Sequence, residues 1–166
     1  MKFLVLILFL ANAAWAFDAE SYRARRDAFT SVAEEMRKTY ESVRAKVSET
    51  AQEVSVPLET HENGAVKLSI AAEKAQFFME DDLVWAQGVV IRQFDEKGVE
   101  TRRVEAEELV FVRASRRGWA QGAAKVTSGG NVFSGEDVFF STDDDYILSF
   151  KSSSLYAASV GKGVAP

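Results

Sequence analysis

His61 is the sole histidine in a chain of 166 residues that has no cysteine. A nucleophile–histidine–carboxylate triad needs its imidazole beside a nucleophile, and zinc sites draw on thiolates or several imidazoles. Neither can be assembled from this composition. His61 lies in a polar stretch ending in Glu62-Asn63-Gly64, which reads as linker and turn. Two acidic runs, Glu80-Asp81-Asp82 and Asp143-Asp144-Asp145, offer carboxylates of the kind that hold calcium. Their spacing is not that of an EF-hand loop, and the equivalent tip between them, Ser115-Arg116-Arg117-Gly118, is basic. Solvated hairpin tips explain the acidic runs without a cation. A glycan-cleaving enzyme needs two catalytic carboxylates across a cleft, which acids confined to tips do not supply. The expectation is a protein with no catalytic residue, no metal site and no cofactor, and therefore not an enzyme.

What remains is apolar, and it repeats. Trp85-Ala86-Gln87-Gly88 returns 34 residues later as Trp119-Ala120-Gln121-Gly122. Ala72-Glu73-Lys74-Ala75-Gln76-Phe77 returns at the same shift as Ala106-Glu107-Glu108-Leu109-Val110-Phe111, and after 29 more as Gly135-Glu136-Asp137-Val138-Phe139-Phe140. In each copy the last Phe stands eight residues before a bulky apolar residue, Trp85, Trp119 or Leu148. Three copies in register indicate a repeated β-hairpin. Side chains alternate faces along a strand, so each copy sorts its residues by face. Ala75 and Phe77 align with Leu109 and Phe111 and with Val138 and Phe140. In the following strand Ala86, Gly88 and Val90 align with Ala120, Gly122 and Ala124, continued by Val126, while Lys125 falls on the other side. Bulky residues therefore face a row of small ones. Such rows either pack closely or leave a groove for something else.

These hairpins require six strands, expected at about 66–79, 83–94, 99–113, 117–127, 131–141 and 145–157, within a β-domain spanning 66–160. The last strand carries Ser149, Lys151 and Ser153 at the small-residue positions, as suits an edge. Ahead of the β-domain, residues 17–54 lack Gly and Pro, and their apolar residues fall in two rows stepping by seven. The rows are Tyr22, Phe29, Met36, Val43 and Ala33, Tyr40, Val47, Val54, which predicts one amphipathic helix. It would lie on its own domain, dock a partner or self-associate as a homo-oligomer. Pro57 is expected to stop it, with 55–65 as linker. Residues 1–16 carry Lys2, the apolar run Phe3 to Leu10, and Ala14-Trp15-Ala16. That is a signal peptide cleaved near Ala16, giving an exported protein. The alternative is an uncleaved anchor, for which the run is short. Cleavage removes Lys2 and moves the net charge from −5 to −6, and an acidic chain without a basic run does not suit nucleic acid.

The pattern Ala-Glu-x-apolar-x-Phe, turn, x-Ala-x-Gly-x-apolar-x-apolar resembles the OstA-like repeats of the LptA and LptC β-jelly rolls. The stretch from Trp119 to Phe150 carries the likeness best, through Gly122-Ala123-Ala124-Lys125-Val126 and Phe133-Ser134-Gly135-Glu136-Asp137-Val138-Phe139-Phe140. The likeness spans about residues 66–157 and leaves out the helix. The family's Gly-Asn-Val is replaced by Gly88-Val89-Val90 and Gly122-Ala123-Ala124. The resemblance implies an open, folded-over β-jelly roll, mainly β and preceded here by a helix. It implies a periplasmic protein of lipopolysaccharide transport whose groove holds acyl chains. The lining would be Ala75, Phe77, Ala86, Gly88, Val90, Leu109, Phe111, Ala120, Gly122, Ala124, Val126, Val138 and Phe140. Partners would be lipopolysaccharide or a related lipid, and other Lpt-type jelly rolls stacked on the edge strands. The alternative is an envelope scaffold that binds only proteins.

Overall fold

Alternating apolar and polar residues build the body of the molecule as one antiparallel meander. The structure, a computed structural model, describes residues 5–8, 19–143, 146–149, 151 and 153–156. Its elements are β1 (Val5–Leu8), α1 (Ala19–Arg44), β2 (Ala51–Thr60), β3 (Val66–Phe78), β4 (Leu83–Phe94), β5 (Glu100–Val112), β6 (Arg117–Ser128), β7 (Asn131–Ser141), β8 (Tyr146–Ser149) and β9 (Ser153–Tyr156). The strands run in the order β1-β8-β7-β6-β5-β4-β3-β2, with β9 also paired to β7. The sheet is open. The expected mainly-β architecture and its five long strands are thus present, while the expected sixth strand is two short ones, β8 and β9. The expected cleavage site after Ala16, the tip residues Asp144 and Asp145, and the end of the 66–160 domain lie outside the described residues.

The region between helix and first hairpin corrects the reading of 17–54 and 55–65. The helix ends at Arg44 with a tightened last turn, Lys46 N–H donating to Val43 O at 2.8 Å. The amides of Ser48 and Glu49 then donate to the Gln76 side chain. From Ala51 to Thr60 the chain is no linker but a strand, β2, paired along β3. Val54 and Val56 suit a strand, and Pro57 is tolerated because β2 is an edge whose register shifts beside it. The heptad row ran on to Val54 by coincidence of spacing. Val54 packs on the opposite face of the sheet from the helix.

A crease crosses the sheet at the most repeated residues. The register skips Glu53 against Glu73, Glu73 against Gly88, and Gly88 against Glu107. It shifts again beside Glu107 and at Gln121–Gly122, opposite Asp137. Glu53, Gly88, Gly122 and Asp137 all have positive φ. Such bulges bend and twist a strand. They also reset its alternation: the buried face reads Leu68, Ile70, Ala72 before the crease in β3 and Ala75 and the partly buried Phe77 after it. In β4 it reads Val84, Ala86 and then Val89, Ile91.

The bend doubles the sheet over. Arg102 and Ser141 belong to β5 and β7, and their partners on the intervening β6 are Ser128 and Arg117. Those partners are eleven residues apart, about 36 Å in a straight strand. Arg102 Nη1 nevertheless donates to Ser141 O at 3.0 Å. Residues from both sides of the crease accordingly form one apolar cluster, from Leu68, Ile91 and Phe133 to Leu109, Phe111 and Phe140.

The helix covers the outer face. Ala33, Met36, Tyr40 and Val43 are buried against Leu83, Trp85, Val110, Trp119 and Phe139. Glu108 anchors it, accepting from Trp85 Nε1 at 2.7 Å and pairing with Arg44 Nε at 2.6 Å. The Arg44 guanidinium also stands 5.5 Å from the Trp85 ring centroid. From Phe29 to Val47 the apolar rows of the helix are thus met by its own sheet. No helix among the described residues is long and apolar enough to cross a membrane.

Candidate functional site: the interior of the folded sheet

Ten of the thirteen residues expected to line a groove do face the interior. Ala75, Ala86, Leu109, Phe111, Ala120, Ala124, Val126, Val138 and Phe140 are buried in the inner cluster, with Phe77 partly buried against it. Phe111, Gly118 and Phe140 are register partners on neighbouring strands, and the two rings stack at 6.2 Å between centroids, 8° from parallel. Gly118 is small for a reason: a Cβ there would meet Phe140 Cζ at 2.3 Å. The corresponding residues in the flanking copies are Val84 and Ile147, both buried.

Three expected lining residues are elsewhere. Gly88 and Gly122 are crease residues, each lying under the repeat's own glutamate. A Cβ on Gly88 would meet Glu73 Cδ at 2.6 Å, and one on Gly122 would meet Glu107 Oε2 at 2.6 Å. Val90 follows the bulge, so it shares the outer face with its register partners Ala71 and Glu105, and Val89 takes its place inside. Ala124 and Lys125 do face opposite ways, as expected, with Lys125 Nζ 3.4 Å from Glu105. In the third copy Lys151 replaces the crease glycine and pairs with Asp137 at 2.8 Å. That hydrogen bond raises the Lys151 pKa above its usual value.

Sequence reasoning missed half of the interior. Leu68, Ile70, Ala72, Val89, Ile91, Val104 and Phe133, on the far side of the crease, are as buried as the residues it named. Their alternation was legible. The missing step was to treat a glycine inside a strand pattern as a bulge that changes which face comes next. The interior is also filled: Leu109, Phe111, Ala120 and Val138 have no exposed surface. The small residues admit facing side chains and leave no trough along the sheet.

Opposite the crease the two ends of the strands meet as polar lips. Arg116, at the β5–β6 tip, donates from Nε and Nη2 to the two carboxylate oxygens of Glu59 on β2 at 2.9 and 2.6 Å. Four strand spacings separate β2 from β6, about 19 Å in a flat sheet. Its third nitrogen, Nη1, donates to Asp143. The hydrogen bonds to Asp143 and Glu59 raise the Arg116 pKa above its already high value. Lys67 Nζ lies 3.8 Å from Glu59. Glu59, Lys67, Leu68, Gln93, Arg116 and Thr142 line a crevice between the lips too narrow for a water molecule. Burial at Arg102 lowers its pKa. Arg113 Nε is buried without a hydrogen-bond partner, 3.5 Å from Asp82. Among the described residues no group of three His, Asp or Glu is placed to hold a metal. His61 Nε2 donates to the Phe94 carbonyl, 2.9 Å away, beside the β2–β3 turn.

No protein-family model matches the chain, and no curated protein matches it. Among solved structures the fold is similar to LptH of Pseudomonas aeruginosa, described as the LptA homologous periplasmic component of the conserved lipopolysaccharide transport device. The likeness has a TM-score of 0.41 at 12% identity, over 71% of this chain and 87% of that one.

Proposed function

We propose that this protein is a non-catalytic periplasmic carrier that holds acyl chains between the halves of its folded sheet, in the transport of lipopolysaccharide or a related lipid to the outer membrane. The observation that carries the reading is a single apolar interior contributed by both sides of the crease and closed by polar lips. An amphiphile matches that arrangement, tails inward and headgroup at the lips. Each methylene transferred from water contributes about 0.8 kcal/mol, so one chain of ordinary length offsets the separation of a few lip contacts. The OstA-like repeat pattern points to the same substrate class.

Partner contacts would run through the sheet's ends. Among the described residues β2 has one unpaired edge, and β8 is paired outward by β1. β1 lies within the proposed signal peptide, so cleavage near Ala16 would free the β8 edge for a second jelly roll or a second copy of this chain. A purified exported protein beginning at Phe17 supports this order of events, and one retaining Met1 contradicts it.

Full burial of the inner residues favours a second reading, in which the interior is an ordinary core and the protein is an envelope scaffold binding only proteins. Mass spectrometry of protein purified from the native compartment separates the two. Stoichiometric co-purified lipid supports the carrier, and lipid-free protein at full occupancy of its partners supports the scaffold.

A further inference from the structure

We infer that the lips form a charge latch that selects amphiphiles with an oxyanion headgroup; this rests on the carrier reading. Arg116 is the latch's centre, because from the lip that it shares with Asp143 it reaches Glu59 on the other. Arg102 makes the second cross-lip bond, to a backbone carbonyl. Parting the lips treats the two signs of charge differently. Glu59 turns toward water and keeps Lys67 beside it. Arg102 lies in a setting that already disfavours its charge, and Arg116 loses the carboxylate that two of its nitrogens share while keeping Asp143 on its own lip. Desolvated guanidinium groups require anionic acceptors, and a phosphate offers them the same two-pronged geometry as a carboxylate. Arg113, on the same tip as Arg116, has a buried Nε that no hydrogen bond satisfies. A phosphate entering at the lips therefore takes the place of Glu59 at Nε and Nη2 of Arg116, whereas a neutral headgroup offers those two nitrogens no anionic acceptor. The latch makes opening depend on the headgroup, while the tails supply the binding energy.

The test is calorimetric titration of the whole exported chain, below micellar concentrations, with dodecyl phosphate and with octaethylene glycol dodecyl ether. The two carry the same tail. Wild type should bind the phosphate at least about tenfold more tightly, the worth of one charge-assisted contact. Arg116→Gln with Arg102→Gln should lower that preference to about twofold or less. Glu59→Gln, which loosens the latch without removing a cation, should tighten binding of the neutral ether. Inorganic phosphate alone should not bind at millimolar concentration. Equal binding of the two amphiphiles by wild type overturns the latch and leaves the carrier standing. So does inorganic phosphate binding as tightly as dodecyl phosphate, which would make the lips a simple anion site. Binding of neither amphiphile, by wild type or by Glu59→Gln, overturns the carrier reading itself.

Discussion

Arg102 Nη1 and the carbonyl oxygen of Ser141 lie 3.0 Å apart although the residues stand at opposite ends of strands two places apart in the sheet. The bond exists only because the sheet is doubled over. Arg102→Met keeps the aliphatic stem and removes this donor from a buried carbonyl, at a cost of about 1–2 kcal/mol in urea unfolding. A change within about 0.5 kcal/mol, as for an ordinary surface site, would mean that the lips do not meet there.

The crease makes a sharper prediction, since two effects there can be separated. Gly88 has φ of 56°, and its missing Cβ leaves room for the Glu73 side chain. Gly88→Ala should destabilise by the cost of a left-handed alanine, about 1–2 kcal/mol, plus the displacement of Glu73. In a Glu73→Ala background the same substitution should cost the backbone term alone. Identical costs in the two backgrounds would show that the glutamate does not cover the glycine.

How these features were written in the sequence differs from one to the next. The hairpins were legible because Trp-Ala-Gln-Gly and Ala-Glu-x-apolar-x-Phe recur with their spacing intact. That Trp85 and Trp119 face away from Ala86 and Ala120 followed from alternation, but that the helix covers that face did not. The helix end was misplaced because a seven-residue step continues through any sequence with valines in the right places. Nothing local distinguishes Val47 from Val54 until the edge strand forms. Val90 was assigned inward because alternation was counted straight through Gly88. The lips were beyond reach of the sequence: Glu59 and Arg116 are 57 residues apart and meet only after the sheet folds over.

Tyr40 gives the docked helix a pH signature. Burial, and then the charge of Glu108, pushes its pKa up from 10.0 to about 12. A group whose pKa is raised on folding stabilises fully below its unfolded pKa, and that contribution is lost as pH rises through the folded value. Thermal stability should therefore fall between about pH 10 and pH 12 more steeply in wild type than in Tyr40→Phe. Parallel pH curves for the two proteins would place the phenol in water and the helix off the sheet.

The same docking can be broken outright. Met36→Glu with Tyr40→Glu buries two carboxylates against Trp85, Trp119 and Phe139. The unfolding free energy should drop by several kcal/mol, or the helix should detach with loss of tryptophan shielding. Unchanged stability and unchanged tryptophan emission would remove the interface.

The central claim is that acyl chains enter between the halves of the sheet, and photo-crosslinking in the native envelope tests it most directly. A photoreactive residue at Phe111 or Ala124 points into the interior, and one at Lys125 points outward from the same strand as Ala124. Capture of lipopolysaccharide or a related lipid at Phe111 and Ala124, and not at Lys125, is the predicted result. Folded protein that captures no lipid at either inner position, or captures it equally at Ala124 and Lys125, would contradict the account.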